Sequence, residues 1–245
     1  MEQHVEEGRK AKKITKSING WERIELIELA AGIAGLFHDF GKANDLFQKK
    51  LSPNTDLKSE PFRHEWVSLR LFEAFVAGRL DQQWLTELHA LDNSNHAEEI
   101  ENRTIANIVR DDQRLTNPFN SFSEDAPFSK LVAWLIVSHH RLPLPTTKAS
   151  KVDLKGQRNW LKVQFSCHWN SKNAENISDI DNSIIDANWS FSHGTPITST
   201  TWQVKAKELA RRALSSNLLR NAQELLHQRF IAHISRMSLM LADHY

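Results

Sequence analysis

Leu36-Phe37-His38-Asp39-Phe40-Gly41-Lys42 closes the first long apolar run of the chain, and the fold turns on how it is read. An imidazole followed directly by a carboxylate can serve two cations at once. The histidine binds one, and the two carboxylate oxygens bridge both. Further histidines stand at His64 and in Leu135-Ile136-Val137-Ser138-His139-His140, and an aspartate follows in Leu241-Ala242-Asp243. Each lies in or beside a helix-like apolar run, so ligands from separate helices would meet inside a bundle.

The flanking periodicity is helical almost everywhere. Trp21–Phe37 carries Ile24, Ile27, Ala31 and Ala34 at helical spacing, with Gly32 and Gly35 allowing a neighbour to approach closely. Phe62, Trp66, Leu69 and Phe72 form a stripe after Pro61, and His64 shares a face with Val67, Ser68 and Leu71. The run from Phe128 to His139 is apolar all round, the mark of a central helix, and Pro143 and Pro145 stop it. From Gln203 to Ala242 the pattern predicts one or two helices, broken near Ser215-Ser216-Asn217. There Asp243 aligns with Leu239, Ala232 and Leu225, and a second stripe (Leu226, Phe230, Ile234, Met237, Leu241) predicts burial on two sides. An aspartate facing a core needs a cation, either a metal or Arg236. Asp92–Asn102 is polar, a loop or an exposed helix. Residues 144–201 are rich in Ser, Thr, Asn and Lys and read as a mostly irregular insertion, with a short hairpin suggested by Val163-Gln164-Phe165 and Trp189-Ser190-Phe191.

Composition narrows the class. With 245 residues, 40% hydrophobic and 25% charged, the chain is an ordinary globular protein with length enough for a large core. Its apolar stretches are too short to span a membrane, and Met1–Glu7 is acidic with no signal core. Cys167 is the single cysteine, which excludes a disulfide framework and a multi-thiolate zinc site and fits a reducing cytoplasm. A net charge of +1 announces no nucleic-acid partner. Local clusters (Arg9, Lys12, Lys13, Lys16; Lys148, Lys151, Lys155, Arg158, Lys162; Lys205, Lys207, Arg211, Arg212) either track a phosphate backbone or are solvated surface.

Each ligand candidate has a structural alternative. Asp39 alone would cap a turn before Gly41, and His139-His140 would close a helix C-terminus. Asp243 would be an exposed chain end and His4 a surface histidine. Such accidents repeated on four or five helices are much less probable than one shared site. Lys42, after a glycine that permits a tight turn, would reach toward an anionic substrate. No G-x-x-x-x-G-K-[ST] loop occurs.

His38-Asp39-Phe40-Gly41-Lys42-Ala43, then Phe47-Gln48, His64, Ser138-His139-His140 and Ala242-Asp243, resembles the HD metal-dependent phosphohydrolase superfamily. Within it, the pattern is similar to the HD nuclease domain of the CRISPR-associated nuclease-helicase of type I systems, over all but the 144–201 insertion. The resemblance implies one all-α HD-domain helical bundle over residues 1–245, cut from or working beside a helicase that this chain lacks. It implies one metal on His4, His38, Asp39 and Asp243 and a second on Asp39, His64, His139 and His140, with Asp39 and Lys42 serving catalysis. The implied cofactors are two divalent transition metals (Mn, Fe, Co or Ni), with Mg weaker because histidine-rich sites do not suit it. The implied activity is hydrolysis of single-stranded DNA, as an endonuclease or exonuclease, in antiviral CRISPR interference. A helicase and an RNA-guided surveillance complex are the implied partners. Two alternatives stay open: a phosphohydrolase acting on a nucleotide or cyclic nucleotide, and a non-catalytic docking module.

Overall fold

The computed structural model describes residues 20–57, 59–91, 94–143, 154–171, 174–216, 219 and 229–244. His4 and the first basic cluster lie outside the described residues, as do Lys148 and Lys151 of the second. Among the described residues all regular structure is helical, in eleven α-helices and four short 3-10 helices. The α-helices are α1 (Gly20–Phe37), α2 (Asp45–Lys50), α3 (His64–Val76), α4 (Asp81–His89), α5 (Ser94–Ala106), α6 (Pro127–Ser138), α7 (Leu154–Gln164), α8 (Cys167–Asn170), α9 (Asn182–Asn188), α10 (Thr200–Ser215) and α11 (Arg229–His244).

α6 is the axis, as its all-round hydrophobicity predicts: every residue from Pro127 to Ser138 is buried. α1, α3 and α11 pack around it. The buried start of α6 is capped from another element. The Asp81 carboxylate accepts the Phe128 and Ser129 backbone N–H groups at 2.9 and 2.8 Å, satisfying donors that a helix N-terminus leaves open. Gly32 and Gly35 of α1 admit close neighbours, as expected. A Cβ at Gly32 would stand 3.2 Å from the Leu209 side chain of α10, and one at Gly35 would stand 3.6 Å from Leu239 of α11. The Gly35 contact lets α11 pack along the end of α1, where His38 stands beside Asp243.

Several expectations need correction. Of the stripe expected on α1, Ala34 is buried and Ile27 packs partly buried on the core, but Ile24 is 57% exposed; Leu26, Leu29, Ala30, Ile33 and Phe37 complete the buried face, so its centre is turned from the expected one. The suggested hairpin is absent: 163–164 end α7, and 189–191 follow α9 without pairing. Residues 154–198 are largely short helices rather than irregular chain. Asp92–Asn102 falls mainly in α5, which buries Ala97, Ile100 and Thr104. On α11 the Ile231/Leu239 face is buried, whereas Phe230, Met237 and Leu241 are exposed, so burial on two sides does not hold there.

Candidate metal centre

Where α1 ends, the His38 backbone N–H still donates to Ala34 O at 2.8 Å, and its ring Nδ1 donates to Gly35 O at 2.8 Å. A carbonyl only accepts, so Nδ1 carries the proton and Nε2 is directed elsewhere. Nε2 lies 3.1 Å from Asp243 Oδ1 and 3.4 Å from Asp39 Oδ2. His139, the C-cap of α6, repeats the device: Nδ1 donates to Ile136 O at 2.7 Å, and the buried Nε2 has no hydrogen-bond partner. Both rings are therefore clamped through one nitrogen and offer the other, as the outer partners of metal-binding histidines do.

Asp39 does not spend its side chain on capping; the 3-10 turn Phe40–Ala43 begins without a side-chain cap bond. Its Oδ2 accepts from Lys42 Nζ at 2.8 Å, and its Oδ1, buried and unpartnered, lies 3.6 Å from His64 Nε2. The phrase around it builds the turn. Gly41 N–H donates to Ser68 Oγ at 2.7 Å, Asn44 caps α2 through Phe47 N–H, and Gln48 Nε2 returns to Lys42 O at 2.7 Å. A Cβ at Gly41 would stand 2.8 Å from the His64 carbonyl carbon and 2.9 Å from its Cα, so only glycine lets this turn lie against the start of α3.

Six of the seven expected ligands thus converge: His38, Asp39, His64, His139, His140 and Asp243. Donor atoms of His64, His139 and His140 lie within 4.8 Å of one another, as do those of His38, Asp39 and His139. His140 Nε2 is 3.4 Å from Asp243 Oδ2. Lys42 sits beside Asp39, and the seventh candidate, His4, lies outside the described residues. Two neighbours escaped the sequence reading. His244 groups with His140 and Asp243 within 4.8 Å, and Glu65 Oε2 is 3.4 Å from His64 Nδ1. Adjacency to Asp243 and His64 was their only signal.

Arg236 does not meet Asp243. Its Nε donates to Ser138 O at 2.8 Å and its Nη2 to Arg141 O at 2.5 Å, so α11 caps the end of α6 and holds the turn bearing His139 and His140. Arg236→Ala should lower stability by about 2 kcal/mol in urea unfolding, since one buried and one partly buried carbonyl lose a charged donor. Lysine should restore only part of that, lacking the planar fork.

Burial is the main force on the imidazoles. It pushes His64 below its ordinary value and, with the neighbouring His140, pushes His139 down to about 4. At Asp243 burial pulls upward, but the His38 hydrogen bond and the charges of His38, His140 and His139 outweigh it and hold the carboxyl low. A histidine with a folded pKa below its unfolded one binds fewer protons when folded, so stability rises with pH across that interval. The metal-free protein should therefore lose stability as pH falls from about 6.5 toward 4. A lower urea midpoint at pH 5 than at pH 7, with a smaller difference in His139→Gln, is the expected result.

The donor chemistry fits metal. Asp39 Oδ1, His64 Nε2 and His139 Nε2 are buried without hydrogen-bond partners, and His38 Nε2 faces two carboxylates. Unsatisfied buried polar atoms cost about 1–3 kcal/mol each, and bound cations remove that cost. Histidine and carboxylate together are the donor set of borderline transition ions.

Over 238 residues, 94% of this chain, the sequence is 40% identical to the CRISPR-associated nuclease/helicase Cas3 subtype I-F/YPEST of Pectobacterium atrosepticum. It is 36% identical over 231 residues to the protein of that description in Pseudomonas aeruginosa. This chain is a relative of Cas3 nuclease/helicases. It spans about one fifth of their length, 21% and 20% respectively. No family model matches it. Among the described residues of this Cas3 relative, no helix is long and apolar enough to cross a membrane.

Proposed function

We propose that this chain is a single HD-type nuclease domain, a metal-dependent phosphodiesterase that cuts single-stranded DNA with two divalent cations. The observation that carries the reading is the convergence of three buried, unpartnered donor atoms, Asp39 Oδ1, His64 Nε2 and His139 Nε2, from three separate elements. His38, Asp39 and Asp243, with His4, would hold one cation; Asp39, His64, His139 and His140 would hold the other. Bound divalent ions supply Lewis-acid stabilisation of charge on a phosphate and acidify the attacking water.

The chain's own residues prepare the rest. The carbonyls of Gly35 and Ile136 fix the tautomers of His38 and His139, so each presents Nε2 without a rotation during the reaction. Lys42 Nζ, 2.8 Å from Asp39 Oδ2, keeps an ammonium at the edge of the site where a phosphate oxygen gains charge. Arg63 and Arg141 lie near Glu65 and add positive charge on the His64 side, which favours a polyanionic strand over a neutral substrate. The relatives are named CRISPR-associated nuclease/helicases, which supports a helicase and a CRISPR surveillance complex as partners.

Elemental analysis of protein purified without chelator, with cleavage of circular single-stranded DNA scanned across divalent ions, tests this reading. The expected result is about two ions per chain and activity with Mn, Fe, Co or Ni well above that with Mg. Turnover of mononucleotides or cyclic nucleotides without cleavage of the circle would replace it with the small-molecule alternative.

A further inference from the structure

We infer that the cavity on the outer side of His64 is a subsite for one nucleotide, next in the strand to the phosphate being cut; this rests on the nuclease reading above. The cavity has a volume of about 280 Å³ and shares His64 as a wall with the metal centre. That size is near the lower bound of roughly 300 Å³ for small-ligand sites, which suits a single nucleotide rather than a run of bases.

The lining is nucleotide chemistry rather than that of a bare anion. Phe47 gives an aromatic wall, its ring 5.6 Å from the His64 ring. Lys50 stands over the Phe47 ring, Nζ 5.4 Å from its centroid, held by Glu60 Oε1 at 2.7 Å. Arg63, directly before His64, lines the same cavity with no ion pair among the described residues, leaving its guanidinium to meet a backbone phosphate. Glu65 completes the wall; it is only 5% exposed, and its Oε2 lies 3.4 Å from His64 Nδ1 on the side away from the metal centre's free Nε2. An aromatic wall beside cations is how proteins hold single strands without reading their sequence. The arrangement follows from the chain: Asn44 starts α2 so that Phe47 and Lys50 project one turn apart beside the first residue of α3.

The test pairs protein variants with strand variants on the manganese-loaded chain. Removing the base at one position beside the cut should raise KM about tenfold for the wild type. Phe47→Ala should raise KM by a similar factor on the intact strand and no further on the abasic strand, and Phe47→Trp should recover the loss. Arg63→Gln should raise KM about fivefold on both strands. The same factors should appear in the oligonucleotide Kd, read by fluorescence anisotropy with metal chelated. Additive effects of base removal and Phe47→Ala would overturn the subsite, since ring and base would then act independently. A fall in kcat and metal content at unchanged KM would also overturn it, by showing that Phe47 only props His64. Absence of cleavage by the wild type with every ion is a separate result: it removes the nuclease reading, and the anisotropy comparison then decides the subsite alone.

Discussion

Asp39→Ala should lower cleavage of single-stranded DNA by about a thousandfold or more and reduce the metal content of the purified protein. The size follows from position. Asp39 turns its two oxygens to different partners, Oδ1 toward His64 and Oδ2 toward His38 and Lys42. Losing it removes the bridge between two ligand groups, and several kcal/mol of stabilisation at the phosphate corresponds to three or more factors of ten. Fold damage should not confuse the result, because the carboxylate caps nothing and is about one-third exposed. The urea midpoint of the metal-free variant should stay close to that of the parent. Full activity in a variant with normal metal content would refute the assignment.

Gly41→Ala should have the second largest effect, and on fold and chemistry together. The added methyl would press on the main chain of His64, not on a side chain able to swing aside. Overpacking of this kind costs about 1–3 kcal/mol. The turn can yield only by moving Asp39 and Lys42 on one side or His64 on the other, and displacement by about 1 Å costs near a hundredfold in rate. Stability by urea titration and metal binding by calorimetry should fall together. Ser68→Ala provides the comparison: it removes the acceptor of the Gly41 N–H without adding bulk, so it should cost about 1 kcal/mol and far less activity.

Most of the helical skeleton was legible because burial on a helix repeats at a fixed period. α6 is apolar on every side and proved to be the axis; Gly32 and Gly35 of α1 lie where α10 and α11 approach it. Errors arose where a stripe needs a partner to be meaningful. Ile24 and the Phe230–Met237–Leu241 row have helical spacing, yet no described element covers them. The suggested hairpin failed for a related reason: alternation over three residues is also compatible with a helix end, which is what residues 163–164 form.

The candidate site was legible as a set of residue types and not as a geometry. His38, Asp39, His64, His139, His140 and Asp243 could be chosen because polar ligands beside apolar runs are costly unless something shared satisfies them. Spacing along the chain carries no information on which nitrogen of each ring is clamped, that Arg236 caps α6 instead of pairing with Asp243, or that Glu65 and His244 stand beside the ligands. Local periodicity and a dense motif were enough to specify an all-helical bundle and the residues able to hold a cation. The tertiary structure alone decided that they meet, since contacts between α1, α3, α6 and α11 join parts of the chain up to 205 residues apart, and such contacts depend on packing that no local pattern encodes.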